Sequence, residues 1–173
     1  QGKCDSLTYN FKDSIAEMFD QPIMWSNEFQ LSSDSIQFFA YKGIVKYIFF
    51  KSNPIIIAQE DSIDYNQIKG RKITTYISDN NNIEKMYVEG NGQSIFVVKD
   101  EEKNKKIGLN YTECTNISLY FKKNKLNSVN YELMPQSNTI PYHKLNDKNR
   151  YLNGFKWRGS EKLKTKEDIF TEQ

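Results

Sequence analysis

The residues of this chain that could do chemistry are few and scattered. His143 is the only histidine among 173 residues, and it sits in a loop beside Pro141. No serine or cysteine nucleophile signature lies near it, so the pattern offers no Ser–His–acid triad. A His-ligated metal needs more than one histidine and two unclustered cysteines. Cys4 and Cys114 are the only cysteines and stand in neither a metal nor a redox spacing. They could bond to each other in an oxidising compartment, or serve as half-buried small apolar residues; the sequence leaves both open. Three Asp-Ser pairs, Asp5-Ser6, Asp34-Ser35 and Asp61-Ser62, invite comparison with paired glycosidase carboxylates. Their recurrence at strand entries argues instead for turns, in which Asp and Ser side chains bond nearby backbone amides. Gly90-Asn91-Gly92 is not a phosphate loop, because no helix follows it. Asn110-Tyr111-Thr112 and Asn116-Ile117-Ser118 match the glycosylation acceptor pattern, which matters only in a eukaryotic secretory context. The expectation is a protein with no catalytic residue, no metal and no cofactor. It does not read as an enzyme.

What the sequence builds is β-structure. The stretch Ile68–Val98 alternates Ile73, Thr75 and Ile77 with Lys72, Thr74 and Tyr76, as a sheet wet on one face requires. It divides into strands Arg71–Ser78, Asn82–Glu89 and Gln93–Val98. Turns are expected at Asp79-Asn80-Asn81 and Gly90-Asn91-Gly92, whose residues tolerate positive φ. Earlier, strands are expected around Leu7 to Phe11, at Ile15–Asp20 and at Phe29–Leu31. Asp34–Ile57 is split by Lys42-Gly43 and Ser52-Asn53-Pro54 and leads to a turn at Asn66–Gly70. Later strands are Thr115–Phe121 and Lys125–Leu133 around Lys122-Lys123-Asn124, after a charged loop at Asp100–Lys106. Strand–turn–strand units start near Ile36, Ile73 and Ile117, and the Asp-Ser pairs recur at 29 and 27 residues. Such periods point to stacked antiparallel hairpins rather than βαβ units.

After Tyr142 the character changes. His143–Arg150 can hold a helical turn, Leu152, Phe155 and Trp157 cluster about Gly154, and Thr165-Lys166-Glu167-Asp168 resembles a helix N-cap. The expected organisation is a jellyroll over 1–141 and a capping tail over 142–173 that covers one open end of the stack. A net charge of +2 is too balanced to argue for nucleic acid. The charge is uneven, −4 through Asp64 and +6 beyond it. No apolar run approaches the roughly 20 residues of a membrane-spanning helix. Gln1-Gly2-Lys3-Cys4 reads as a cut inside a longer protein, so an export signal is expected to lie outside this chain.

The binding surface suggested by strand parity is one apolar face. It comprises Ile36 and Phe38, Val45 and Tyr47, Ile73 and Ile77, Met86 and Val88, Ile117 and Leu119, and Val129 and Tyr131. Two such faces pressed together make an ordinary sandwich core. Splayed apart, they make a trough for acyl chains. The sequence also admits a closed jellyroll scaffold that binds proteins at its edge strands. Exposed Tyr and Trp leave a carbohydrate-binding module open as well.

The run Asp34–Val98, with DSIQFF, NQIKGRKITTY and IEKMYVEGNGQSIFVV, resembles the OstA/LptA-like domain of lipopolysaccharide transport in Gram-negative bacteria. The resemblance continues through IGLNYTECTNISLYFKKNKLNSVNYELMPQSNTIPYHKL and LNGFKWRGSEKLKTKEDIF, and is strongest at Asn66–Arg71, Val88–Phe96 and Gly154–Arg158. It is similar to the C-terminal part of a long periplasmic member. It differs from the short bridge protein in carrying the Phe155–Phe170 tail and in starting mid-domain. The resemblance implies an open, twisted pair of antiparallel sheets holding lipid A acyl chains of lipopolysaccharide between them. It also implies a periplasmic location, a role in outer-membrane biogenesis, and head-to-tail pairing of edge strands, near Leu7 and Val129, with other jellyroll domains or further copies. No catalytic residue carries over.

Overall fold

A computed structural model of the chain describes residues 1–26, 29–100, 102–103 and 105–165. Fourteen antiparallel strands form one continuous sheet bent into two facing walls. The first wall runs β1 (Gly2–Lys3), β4 (Ile23–Ser26), β5 (Phe29–Ser32), β8 (Ile55–Gln59) and β9 (Tyr65–Lys69). It continues through the second half of β11 (Ile83–Asp100), the first half of β12 (Lys105–Lys122) and β14 (Gln136–Pro141). The second wall runs β2 (Ser6–Asn10), β3 (Ile15–Phe19), β6 (Ser35–Tyr41), β7 (Ile44–Lys51) and β10 (Lys72–Ile77). It ends with the first half of β11, the second half of β12 and β13 (Lys125–Glu132). Hairpins therefore alternate between walls as the chain advances. Strands β2 and β13 are the edges of the second wall, where the sequence placed them, and β1 and β14 are the edges of the first.

The chain returns from the second wall to the first four times, each time by the same device. Asp20-Gln21, Ser52-Asn53, Gly90-Asn91 and Leu133-Met134 all have positive φ, between 51° and 72°. Pro22, Pro54 and Pro135 follow three of these pairs, and Gly92 follows the other. Proline fixes its own φ and keeps the preceding residue out of the right-handed helical region, so the bend cannot run on as a helix. Three of the bends are tied to the outgoing crossover by backbone bonds. The Asp34 amide donates to the Ser52 carbonyl (3.0 Å), Arg71 to Gly90 (2.9 Å) and Thr115 to Leu133 (3.1 Å). This line of crossovers closes one side of the walls. The hairpin tips lie along the other.

Several sequence expectations shift in this frame. Gly90 and Asn91 do adopt positive φ, but Gly90-Asn91-Gly92 bends β11 from one wall to the other instead of reversing it. The pairing of β11 with β12 gains one residue there, Glu89 facing Asn116 and Gly92 facing Cys114, which is a β-bulge. Asn66–Gly70, expected as a turn, contains most of strand β9. Asp5 and Asp34 do mark crossovers into the second wall, whereas Asp61 sits in the β8–β9 tip, where its Oδ1 accepts the amides of Ile63 and Asp64. The expected cap at Thr165–Asp168 falls largely outside the described residues. His143 lies on a 3-10 turn (Tyr142–Lys144), and α1 (Asp147–Arg150) supplies the expected helical turn.

Two substitutions test the crossover line by thermal unfolding. A Cβ at Gly70 would lie 2.3 Å from Val88 Cγ1, so Gly70→Ala is expected to destabilise by about 1–3 kcal/mol. Leu133 holds φ 61° with its side chain 64% exposed, so Leu133→Gly relieves a left-handed non-glycine and is expected to raise the midpoint.

Candidate functional site

The inner faces of the two walls meet in one apolar cluster. The second wall contributes Ile36, Ile73, Val88 and Ile117, each at most 1% exposed, together with Met86 and Leu119. Phe38, Val45, Ile77, Val129 and Tyr131 pack around them, half-buried. Eleven of the twelve residues chosen by parity thus share the interior. Tyr47 does not; it is 38% exposed on the outer face, against Phe39, Phe49 and Tyr76. The reason is a bulge: Phe39 faces Tyr47 while Ala40 faces Val45, so Lys46 is an extra residue in β7. The alternation slips there, and Val45 and Tyr47 point to opposite faces.

All twelve come from the second wall. The opposing wall, with Leu31, Ile56, Ile68 and Phe96, escaped the sequence reading. Its signal was present in Ile55-Ile56-Ile57, an unbroken apolar run that marks a strand buried on both faces.

The interior is sealed near the crossovers and opens toward the hairpin tips. There a cavity of about 700 Å³ lies between the walls, floored by Ile68, Met86, Phe96 and Leu119. Phe29 and Phe121 reach across from opposite walls and meet edge to face, ring centres 6.0 Å apart, at the lining of this cavity. Gln59 and Glu60 stand on one rim, and Lys123, Asn124 and Lys125 on the other. Elsewhere a polar bridge joins the walls, Ser94 Oγ to the Tyr131 hydroxyl at 2.8 Å; burial raises the Tyr131 pKa.

The outer face of the first wall is covered by the chain's own residues 150–158. Two fully buried glutamines hold this strap by the same grip. Gln67 donates to the Arg150 carbonyl (2.9 Å) and accepts from the Leu152 amide (2.8 Å). Gln30 donates to the Lys156 carbonyl and accepts from the Arg158 amide, both at 2.7 Å. Between the grips, Tyr151, Phe155 and Trp157 pack on Tyr65, over Ile55 and Ile57. Asp64, fully buried, is paired with Lys106 at 2.7 Å and with Arg150, which anchors the start of the strap. Its end is held by Glu161, bonded to Arg158 at 2.7 Å and to Lys3 at 3.3 Å. Residues 150–158 therefore lie along a face of the stack.

His143 is exposed, and Cys4 and Cys114 are both free thiols, with burial raising the Cys114 pKa. Among the described residues no three His, Cys, Asp or Glu side chains are placed to hold a metal. None of the described helices is long and apolar enough to cross a membrane.

Two measurements test the strap. Gln67→Leu leaves the Arg150 carbonyl and Leu152 amide without their partner, a loss of about 1–3 kcal/mol, and is expected to speed hydrogen exchange at Leu152 selectively. The Glu161 carboxyl is held down to about 2 by its bonds to Arg158 and, less, Lys3. Because that folded value lies below the ordinary 4.5, its contribution is complete above about pH 4.5 and falls away toward pH 2. The protection of the Arg158 amide, measured as exchange relative to the intrinsic rate at each pH, should fall as pH is lowered over that interval in the wild type, and Glu161→Gln should flatten the response.

No family model and no curated protein matches the sequence. A solved structure does match. The chain superposes on LptH, the LptA homologous periplasmic component of the conserved lipopolysaccharide transport device from Pseudomonas aeruginosa, with a TM-score of 0.57. The match covers 81% of this chain and 92% of that one, at 12% sequence identity. At that identity the likeness concerns the fold, and the fold agrees with the resemblance carried by the sequence: the chain has an LptA-like β-jellyroll fold.

Proposed function

We propose that this protein is a non-enzymatic lipopolysaccharide-binding module of a periplasmic bridge to the outer membrane, holding acyl chains between its walls. The observation that carries the reading is the cavity of about 700 Å³, apolar at its floor and polar at its rim, left between two walls that the crossovers join along one side. Each methylene moved from water into such a cavity gains about 0.8 kcal/mol, so a long chain binds well without a directional clamp. The shared fold with a periplasmic transport component points the same way. In this reading 1–141 is the jellyroll and 142–173 an accessory tail, and the eleven interior residues chosen by parity line or back the trough. The edges β1, β2, β13 and β14 carry unpaired backbone groups, which another jellyroll strand, from a partner domain or a second copy, can complete.

A photo-crosslinking side chain at Met86 or Leu119, which line the cavity, is expected to capture lipopolysaccharide. The same probe at Lys72 or Lys85 on the outer face is expected to capture none. Equal labelling of both faces would defeat the trough. Capture from neither would favour the closed scaffold. Assembly is tested separately: proline at Tyr9 or Ser128, on the two edges of the second wall, should weaken crosslinking between jellyroll domains.

A carbohydrate-binding role has one observation in its favour, the ring cluster of Phe39, Tyr47, Phe49 and Tyr76 on the outer face of the second wall. Retardation on immobilised polysaccharide, lost in Tyr47→Ala with Tyr76→Ala, would support it.

A further inference from the structure

The mouth of the trough is not apolar all round, and its β12–β13 side is basic. On the β12–β13 tip, Lys123 and Lys125 are exposed and line the cavity beside Phe121 and Leu126. Among the described residues, no carboxylate forms an ion pair with either lysine. Among the described residues that line the cavity, the acid on the facing rim, Glu60, is already engaged. Lys99 pairs with it, and the Asn66 side-chain amide donates to it at 3.5 Å. Among the described residues, the mouth therefore presents two unpaired lysines directly above an apolar floor.

The lysines stand on a braced turn. Lys123 and Asn124 take φ of 51° and 60°, the left-handed pair of a tight hairpin. The Asn124 side chain accepts the Ile83 amide and donates to Asn82 Oδ1, both at 2.7 Å, so the tip is tied to the neighbouring β10–β11 tip. The positions of the two lysine backbones are thus fixed before any ligand arrives, which lowers the ordering cost of binding.

We propose that Lys123 and Lys125 form a head-group site for a phosphate-bearing amphiphile whose acyl chain occupies the cavity below them. This rests on the acyl-chain reading of the trough and adds to it the charge and chemistry of the head group. A phosphate offers several acceptor oxygens to two ammonium groups, and charge-assisted bonds of this kind are the stronger ones. A neutral head group would leave both ammonium groups facing water, with nothing gained at the rim.

The test compares two ligands with one acyl chain, lysophosphatidic acid and monoacylglycerol, each displacing a neutral apolar dye from the full chain. Lysophosphatidic acid is expected to act at about tenfold lower concentration, with the ratio shrinking as salt is raised. Lys123→Asn with Lys125→Gln should bring the ratio close to one while leaving the monoacylglycerol curve where it was; asparagine suits the positive φ at 123. Replacing both lysines by arginine should keep the preference. Equal displacement by the two ligands, a preference that survives the neutral double variant, or a preference lost in the double arginine variant would each overturn the head-group site alone. Displacement by inorganic phosphate at the same concentration would indicate a site for the free anion and would also overturn it. If neither amphiphile displaces the dye, the trough reading falls and takes this site with it.

Discussion

The architecture depends on a line of main-chain hydrogen bonds, Asp34 to Ser52, Arg71 to Gly90 and Thr115 to Leu133. Each ties the strand leaving the first wall to the strand returning to it. The walls are therefore fixed to each other along one side, where Ile36, Ile73, Val88 and Ile117 pack with at most 1% exposure. No comparable line exists at the tips among the described residues. A cavity opens there because nothing in the backbone ladder draws the walls together, and the distance between them is left to side chains such as Phe29 and Phe121. Side-chain contacts rearrange at a far smaller cost than a ladder of backbone bonds. The mouth is thus the compliant part of the molecule, and the crossover line the rigid part.

The sequence showed one wall well and the other hardly at all, for a physical reason. The strands of the second wall have an outer face open to water, so Ile73, Thr75 and Ile77 alternate visibly with polar neighbours. The first wall is covered on both sides, by the trough within and the strap without. Ile55, Ile56 and Ile57 are all buried, and such a strand loses the alternation that makes it recognisable. Gln30 and Gln67 look like polar surface residues in sequence, yet both are fully buried because they bond a peptide backbone that arrives more than eighty residues later. Tyr47 was misplaced by a single extra residue, Lys46, which no composition rule announces. The repeat itself was legible: Ile36, Ile73 and Ile117 occupy matching places just after each crossover. The three prolines that follow paired left-handed residues, Pro22, Pro54 and Pro135, would have marked the returns equally well.

The strap explains how an open sheet can be stiff on one side only. Residues 150–158 span the outer face from β9 to β5, and their grips fall on the side chains of Gln67 and Gln30, six residues apart along the strap. Buried amides of this kind are tolerated only when both donor and acceptor are used, and here both are. Asp64 would be costly alone in the interior, but two cations surround it. Removing either would leave a buried charge, so the strap and the β8–β9 tip hold each other in place. Among the described residues nothing of this kind covers the second wall, and its outer rings at Tyr47 and Tyr76 are partly exposed.

These features give the trough an asymmetry that suits a carrier. One wall is clamped from behind, so parting of the walls falls to the other, whose hairpin tips carry Lys123 and Lys125. In the proposed reading, an acyl chain entering the mouth would replace contacts between the walls with contacts to itself, and apolar burial is non-directional, so no position along the trough would be strongly preferred. At the proposed head-group site the rim lysines would add the missing direction, by attracting an anion at one place. They are exposed to water and salt, which keeps each interaction weak. A ligand held by many small apolar contacts and a few screened charges can leave as readily as it arrives, whereas a buried polar clamp of the kind that holds the strap would retain it.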